Sequence, residues 1–236
     1  APASGRQVWT LIDMFPGRPG MTVIGENGGI VMRDGVEVSS SPLDAPTMRE
    51  AVRLVRDATS GPDGIDGGLV MCGKQFAYVE RTDDRFVDGV MPYYHRTKRV
   101  DDQIAIIDAI EAGQIDDAIV KLAVYVIGPV QALAQATLAN FADTHQYAIS
   151  GANWADLQIR GVDKGSAVRD LQRFLGVDRS QTAVFGDAGN DLSMMSEGDL
   201  SFAMANASRD VVEAARFVAP SNNEAGVAQV LRALLV

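Results

Sequence analysis

The chain has 236 residues, 47% of them hydrophobic and 22% charged, with a formal net charge of −10. This length allows one or two domains with a sizeable core, and the charge disfavours a nucleic-acid or anionic-membrane surface. The lone cysteine, Cys72, excludes an internal disulfide framework and suits a reducing cytoplasm.

In chain order, "APASGRQVWT" has no apolar core of the kind a secretory signal needs, and a start at Ala1 in place of Met points to a processed or truncated chain. "MTVIGENGGIVMRDGVEV" (21–38) reads as three strands with turns at Asn27–Gly29 and at Asp34-Gly35. "APTMREAVRLVRDATS" (45–60) has apolar residues at 48, 51, 52 and 55, a helical spacing. "GGLVMCGKQFAYVE" (67–80) reads as one or two strands. "DDQIAIIDAIEAG" (101–113) is a helix with acids at its start and Gly113 past its end. The most apolar stretch, Ala118 to Ala139, is interrupted by Lys121, Gly128, Pro129, Gln131 and Gln135. It therefore reads as a strand (118–128) followed by a helix (129–144) with proline in its first turn, and not as a membrane span.

Beyond it, 145–161 gives two strands and "DKGSAVRDLQRFLGV" (163–177) a helix closed by Gly176. "TAVFGD" and "SFAMAN" are strands, "SRDVVEAARFVA" a helix, and "EAGVAQVLRALLV" the last helix. From Ala155 onward the α and β segments alternate at the spacing of a doubly wound parallel sheet. Residues 40–154 have a different rhythm. They read as an α+β unit inserted into an α/β core made of 1–39 and 155–236.

"VFGDAGNDLSMM" (184–195) ends an apolar strand in two glycines, two aspartates and an asparagine. Ligands of open α/β sheets sit beyond the carboxyl ends of the strands, where Asp187 falls. Carboxylates four residues apart repel one another, so Asp187 is a candidate ligand for a hard cation such as Mg2+, with Asn190 and Asp191 orienting that shell or a bound phosphate. Asp and Asn also serve plain turns and helix caps. Lys164 stands in the first turn of a helix, where the dipole disfavours cations. It either balances an anion held there or is an exposed lysine offset by Asp163. Ser4 in "SGR" is a phosphate-oxygen donor or an ordinary helix cap.

Taken together, "ASGR", "ENGG", "VDKG" and "GDAGND…AMANA", with "NNEAGVA" at 222–228, resemble the haloacid dehalogenase superfamily of phosphohydrolases, closest to its Cof-like branch with a large α+β cap. The resemblance implies a Rossmann-like core and a cap over 40–154 that chooses substrates. It implies that Ser4 binds the transferring phosphoryl group, that Lys164 balances its charge, and that Asp187 ligates Mg2+ with Asn190 and Asp191 in support. Arg6, Asn27 and Asn223 would line the entrance. In the cap, Tyr93, Tyr94, His95 and Trp154 either line a pocket or pack. The expected substrate is a small phosphorylated metabolite, a sugar phosphate first among them, handled in the cytoplasm without nucleic acid or membrane.

The family's first motif, an Asp-x-Asp strand carrying the nucleophile, is not present. None of Asp34-Gly35, Asp63-Gly64, Asp66-Gly67 and Asp88-Gly89 has an aspartate two positions earlier in an apolar strand. The expectation is an enzyme whose nucleophile lies in a preceding βαβ segment, with these residues alone inactive. A non-catalytic phosphate-binding protein and a phosphomutase on the same scaffold are the alternatives.

Overall fold

A computed structural model describes residues 1–235. They divide into two compact units, one covering Ala1–Val162 and a second beginning at Asp163.

The first unit opens with Ala3 bridged in parallel to Ile24, followed by helix α1 (Val8–Met14). Strands β1 (Thr22–Gly25), β2 (Ile30–Arg33) and β3 (Val36–Ser40) form an antiparallel sheet in that order. The β2–β3 turn uses Asp34 and Gly35 at φ 49° and 78°. Two successive positive φ values suit the right-handed strand twist. The β1–β2 connection is the "ENGG" turn, in which Glu26 and Asn27 also take positive φ, 49° and 51°.

Helix α2 (Ala45–Thr59) is capped by Asp44, whose carboxylate accepts the Thr47 N–H at 2.8 Å. A six-stranded sheet follows, built from β4 (Gly67–Gly73), β5 (Ala77–Val79), β6 (Thr97–Arg99), β7 (Ile119–Val126), β8 (His145–Ile149) and β9 (Trp154–Ile159). Its order is β6-β5-β4-β7-β9-β8. The period-2 geometry of a strand sends alternate side chains to opposite faces. Leu69 and Met71 pack with Leu122 and Val124 against α2, α4 (Gln103–Glu111) and α5 (Gln131–Ala136). Val70 and Cys72 pack with Ala123 against Phe86 and Val90 of α3 (Asp84–Val90) and against Tyr94. Both faces are covered, which is why β4 is buried at every residue.

Two expectations change here. The helix expected over 129–144 is only α5, followed by a 3-10 turn at Leu138–Phe141. Thr137 breaks it at φ −122°, ψ −83°, and its hydroxyl donates back to the Leu133 carbonyl at 2.6 Å. That side-chain bond competes with helix propagation. The expected core boundary at Ala155 falls inside β9, which pairs antiparallel with β7 and β8. Residues 155–159 thus complete the six-stranded sheet, and the α/β alternation starts only at Asp163. Short segments with little periodicity, α1, α3 and β6, are elements that sequence pattern did not reveal.

The second unit runs α6 (Lys164–Leu175), β10 (Ala183–Gly186), α7 (Leu192–Met195), β11 (Leu200–Met204), α8 (Arg209–Ala214), β12 (Phe217–Ala219) and α9 (Gly226–Leu234). Its three strands are parallel in the order β10-β11-β12. Asp163 caps α6 by accepting the Ser166 N–H at 2.8 Å, and Gly176 closes the helix at φ 66°. The segment expected as one helix over "SRDVVEAARFVA" splits after Ala214, because Phe217–Ala219 pairs with Phe202–Met204. Phe185, Phe202 and Phe217 stack across the sheet at 4.9 and 5.3 Å between centroids. Among the described residues no helix is long and apolar enough to cross a membrane.

Candidate active site

In the second unit, β10 ends at Gly186 and the chain turns sharply into α7. The turn needs glycine at its start: a Cβ on Gly186 would lie 2.6 Å from Asp191 Cβ. Asp191, buried to 6% exposure, folds back under the turn. Its Oδ2 accepts the backbone N–H groups of Asp187 and Ala188 at 3.0 and 3.1 Å. Its Oδ1 accepts from Lys164 Nζ at 2.6 Å.

Lys164 is therefore neither exposed nor offset by Asp163. It is 5% exposed, and the anion at its end of α6 is the Asp191 carboxylate. Two buried charges in contact satisfy one another, where either alone would be costly. Gly165 N–H, next in the chain, is held by Ser193 Oγ at 3.0 Å, which fixes the approach of α6 to α7.

The Asp187 carboxylate stands at the exposed tip of this turn. Its backbone carbonyl accepts from Ser208 N–H at 2.9 Å, and Asn206 Nδ2 lies 3.5 Å from its Oδ2. Asn206 in turn accepts the Asn222 N–H at 3.1 Å, so "AMANA" and "NNEAGVA" meet beside Asp187. Sequence reasoning used Asn206 only as part of a motif string, although an amide two residues past a parallel strand is itself a site signal. Asn190 and Asn223 both lie exposed, Asn190 in the turn and Asn223 in the 3-10 turn Asn222–Glu224.

As a metal ligand, Asp187 offers a hard oxygen donor, while the Asp191 oxygens are already committed to Lys164 and the turn. Among the described residues no group of three or more His, Cys, Asp or Glu side chains stands ready to hold a metal. That donor set suits Mg2+, which takes few protein carboxylates and keeps water in its shell.

In the first unit, Ser4 Oγ accepts the Arg6 N–H at 3.2 Å, closing a local turn. Ser4 is not a helix cap, since α1 begins at Val8 with Gln7 preceding it. Arg6 is tied down elsewhere: its Nη1 donates to the Pro92 carbonyl at 2.7 Å and its guanidinium lies 4.7 Å from the Tyr93 ring centroid. Asn27 donates through Nδ2 to Asp156 Oδ2 at 3.0 Å. Trp154 packs on Tyr93, Tyr94 and Tyr125 at 5.3, 5.9 and 4.8 Å, and His95 Nδ1 sits 2.8 Å from Asp13. Of these four residues, Tyr93, Tyr94 and Trp154 thus belong to one ring cluster.

A buried charged group near Ser4 went unforeseen. Lys121 on β7 is 1% exposed and lies 2.7 Å from Glu26 Oε2 and 3.7 Å from Asp156 Oδ1. Burial works against its charge, but Asp156 and Glu26 outweigh it and hold the ammonium pKa above its ordinary value. Burial pushes the Glu26 carboxyl up, opposed by Lys121. It also pushes up the neighbouring Cys72 thiol and Tyr94 hydroxyl, which lie 3.3 Å apart and stay neutral. The available signal was a lysine in the middle of an apolar strand, since a charge at such a position demands partners.

The haloacid dehalogenase-like hydrolase family matches residues 2–231. The chain is 32% identical over 238 aligned positions to the 5-amino-6-(5-phospho-D-ribitylamino)uracil phosphatase YbjI of Escherichia coli, covering 99% of this chain and 82% of that protein. The crystal structure of SMU.1108c from Streptococcus mutans superposes with a TM-score of 0.78 at 22% identity, over 99% of this chain and 84% of that one. The sugar phosphatase BT4131, of haloacid dehalogenase subclass IIB, superposes with a TM-score of 0.71 at 16% identity, over 98% and 84%. These last two share the fold. With a match across nearly its whole length and a relative of this identity, the chain belongs to the haloacid dehalogenase superfamily, as a phosphatase.

Proposed function

We propose that the protein is a Mg2+-dependent phosphomonoester hydrolase of small phosphorylated metabolites, sugar phosphates first among them. The observation that carries this reading is the turn after β10, where buried Lys164 holds Asp191 and Asp191 holds the backbone of Asp187. The relative in E. coli is named for a phosphate ester on a ribityl chain, which supports a polyhydroxylated phosphorylated substrate.

Phosphoryl transfer spreads negative charge over the phosphoryl oxygens, and a catalyst works chiefly by positioning them and balancing that charge. Lys164 supplies a fixed positive charge, held by Asp191 so that little reorganisation is needed during reaction. Ser4 supplies a hydroxyl donor to a phosphoryl oxygen. Asp187 would hold Mg2+, which when bound polarises the phosphoryl group. The attacking carboxylate is an aspartate outside these 236 residues. It takes the phosphoryl group from the ester oxygen as an acyl phosphate, the substrate alcohol leaving with a proton, and water then cleaves the acyl phosphate to inorganic phosphate and the free carboxylate. Residues 40–154 act as the substrate-choosing cap, whose sheet extends through β9.

The test uses the full-length protein with p-nitrophenyl phosphate and Mg2+. Hydrolysis that requires Mg2+ and is lost in Asp187→Asn supports the reading. Unchanged turnover in that variant rejects the metal assignment, and no hydrolysis of any phosphomonoester by the wild type rejects the activity.

A further inference from the structure

The loop Ser4-Gly5-Arg6 is held from beneath by all three of its carbonyl groups. Ser4 O accepts the Asn27 N–H at 2.9 Å, and Arg6 O accepts the Glu26 N–H at 2.9 Å. Between them, Gly5 O accepts from Lys121 Nζ at 2.8 Å. The two backbone donors belong to the "ENGG" turn, in its positive-φ conformation. For Glu26 that conformation is costly, so surrounding contacts must impose it. Gln158 Nε2 donates to the Glu26 carbonyl at 2.7 Å, and Asp156 Oδ2 accepts from the Asn27 amide at 3.0 Å.

Lys121 is the centre of this arrangement. Its ammonium is 1% exposed and stands among Glu26 from the turn, Asp156 from β9 and the Gly5 carbonyl. Cys72 of β4 and the Tyr94 ring complete the surroundings, the ring centroid 5.6 Å from Nζ. Glu26 Oε1 is fully buried and has no hydrogen-bond partner among the described residues. A pair of carboxylates around one lysine is an expensive way to fill a core, because each ion loses its hydration. What Lys121 adds that an apolar residue would not is a donor aimed at Gly5. In a trans peptide unit the carbonyl and the following N–H point in opposite directions. Holding the carbonyls of residues 4 and 5 toward the buried cluster therefore turns the N–H groups of Gly5 and Arg6 away from it. Arg6 N–H is the group that meets Ser4 Oγ, so the clamp reaches the hydroxyl itself.

We infer that Lys121, a cap-sheet residue that touches no substrate, is a positioning residue for the phosphoryl-binding loop, setting the aim of the Ser4 hydroxyl through the Gly5 carbonyl. This rests on the reading of Ser4 as a phosphoryl-oxygen donor. Without Lys121 the Gly5 carbonyl loses its donor, and a Ser-Gly step, the least constrained part of the loop, becomes free to rotate. Small misplacements of a binding group cost catalysis far more than they cost stability.

The experiment uses the full-length protein and two variants, Lys121→Met and the double variant Lys121→Met/Glu26→Gln. The double variant removes the cation together with the Glu26 carboxylate closest to it, while Asp156 keeps the bond from the Asn27 amide, and so keeps a folded protein to measure. Two readouts are taken: competitive inhibition by inorganic phosphate during p-nitrophenyl phosphate hydrolysis, and amide hydrogen exchange. The expected result is a phosphate inhibition constant raised roughly tenfold to a hundredfold. Exchange should accelerate at the Glu26 and Asn27 amides while the amides of β4 and β7 stay protected. A purely structural role would accelerate exchange across the whole sheet. Unchanged phosphate inhibition in the folded double variant, or unchanged exchange at Glu26 and Asn27, overturns the inference. If exchange rises locally but the wild type neither binds phosphate nor hydrolyses phosphomonoesters, the clamp stands and the phosphatase reading has failed.

Discussion

Replacing Asp191 by asparagine keeps the shape of the turn after β10 and removes its charge. Lys164 Nζ lies 2.6 Å from Asp191 Oδ1, and both side chains are under a tenth exposed. Asp191→Asn leaves the Lys164 ammonium buried without a counter-charge, and breaking a buried pair from one side costs about 3–5 kcal/mol. Lys164→Met is milder. It leaves a carboxylate that still accepts two backbone N–H groups, each bond to a charged acceptor contributing about 1.5–3 kcal/mol. The expected cost of Lys164→Met is therefore about 1–2 kcal/mol. The double variant has no unpaired buried charge, so it should be more stable than the sum of the two singles predicts, by about 2 kcal/mol. Urea unfolding of the full-length protein measures all three, read from the midpoint at constant slope. If the double variant is additive within about 0.5 kcal/mol, the pair is not coupled and Lys164 does not depend on Asp191 for its burial.

Asp187→Asn should abolish Mg2+-dependent hydrolysis while moving stability by less than about 0.5 kcal/mol, because the side chain is exposed at the turn tip. Activity and urea midpoint together check this. Gly186→Ala places a methyl group 2.6 Å from Asp191 Cβ and 2.8 Å from Met195 Cε. It should destabilise by about 1–3 kcal/mol and lower turnover as well, since the clashing residue is the one that holds the turn. Asp44→Ala, which removes the α2 cap, should cost about 1 kcal/mol at pH 7 in thermal or urea unfolding. The Thr47 N–H holds the Asp44 carboxyl below its usual pKa. Its charge-dependent share of stability is thus present above the unfolded carboxyl value and lost as pH falls through the folded one. The gap between wild type and Asp44→Asn should accordingly narrow below about pH 4.

Local pattern carried the sequence reading where structure is local. The apolar residues Met48, Ala51, Val52 and Val55 do form the buried face of α2, and Gly176 does close α6 in the left-handed conformation that glycine permits. The Asp34-Gly35 step is legible because two positive φ values in a row leave few residue choices. The "GDAGND" turn is legible as a candidate site because its glycines and acids make poor sense as packing. The partner of Lys164 is not legible. Asp163 is adjacent in sequence and looks like the counter-charge, yet it is spent on capping α6. Asp191 is 27 residues away and reaches Lys164 only through the fold. The same holds for Lys121, which in sequence merely interrupts an apolar run, while its partners Glu26 and Asp156 lie on a turn and a strand far along the chain. The edge of the six-stranded sheet is hidden for a related reason. β9 alternates Ala155 and Leu157 on one face with buried Asp156 and Gln158 on the other. A strand with a polar buried face reads as an ordinary half-exposed strand.

The two buried lysines solve one physical problem in complementary ways. A loop that binds a phosphoryl group or its metal must hold backbone groups in a fixed direction without help from regular secondary structure. After β10 the loop is held by its N–H groups: an anion, Asp191, gathers the amides of Asp187 and Ala188, and Lys164 pays for the anion's burial. Before α1 the loop is held by its carbonyls: a cation, Lys121, takes the Gly5 oxygen, and Glu26 and Asp156 make that cation tolerable in the core. In each case the charge facing the loop is opposite in sign to the backbone dipole it holds, and the second charge exists to keep the first one ionised. Neutral donors and acceptors would hold the same atoms with roughly half the strength. The desolvation cost of both clusters is then the expected cost of preorganisation, which lowers stability in the core and is recovered as positioning at the turn tips. Apolar replacement of either cluster as a whole should therefore leave the protein as stable as before or more so, and less active. Replacement of single members should lower both.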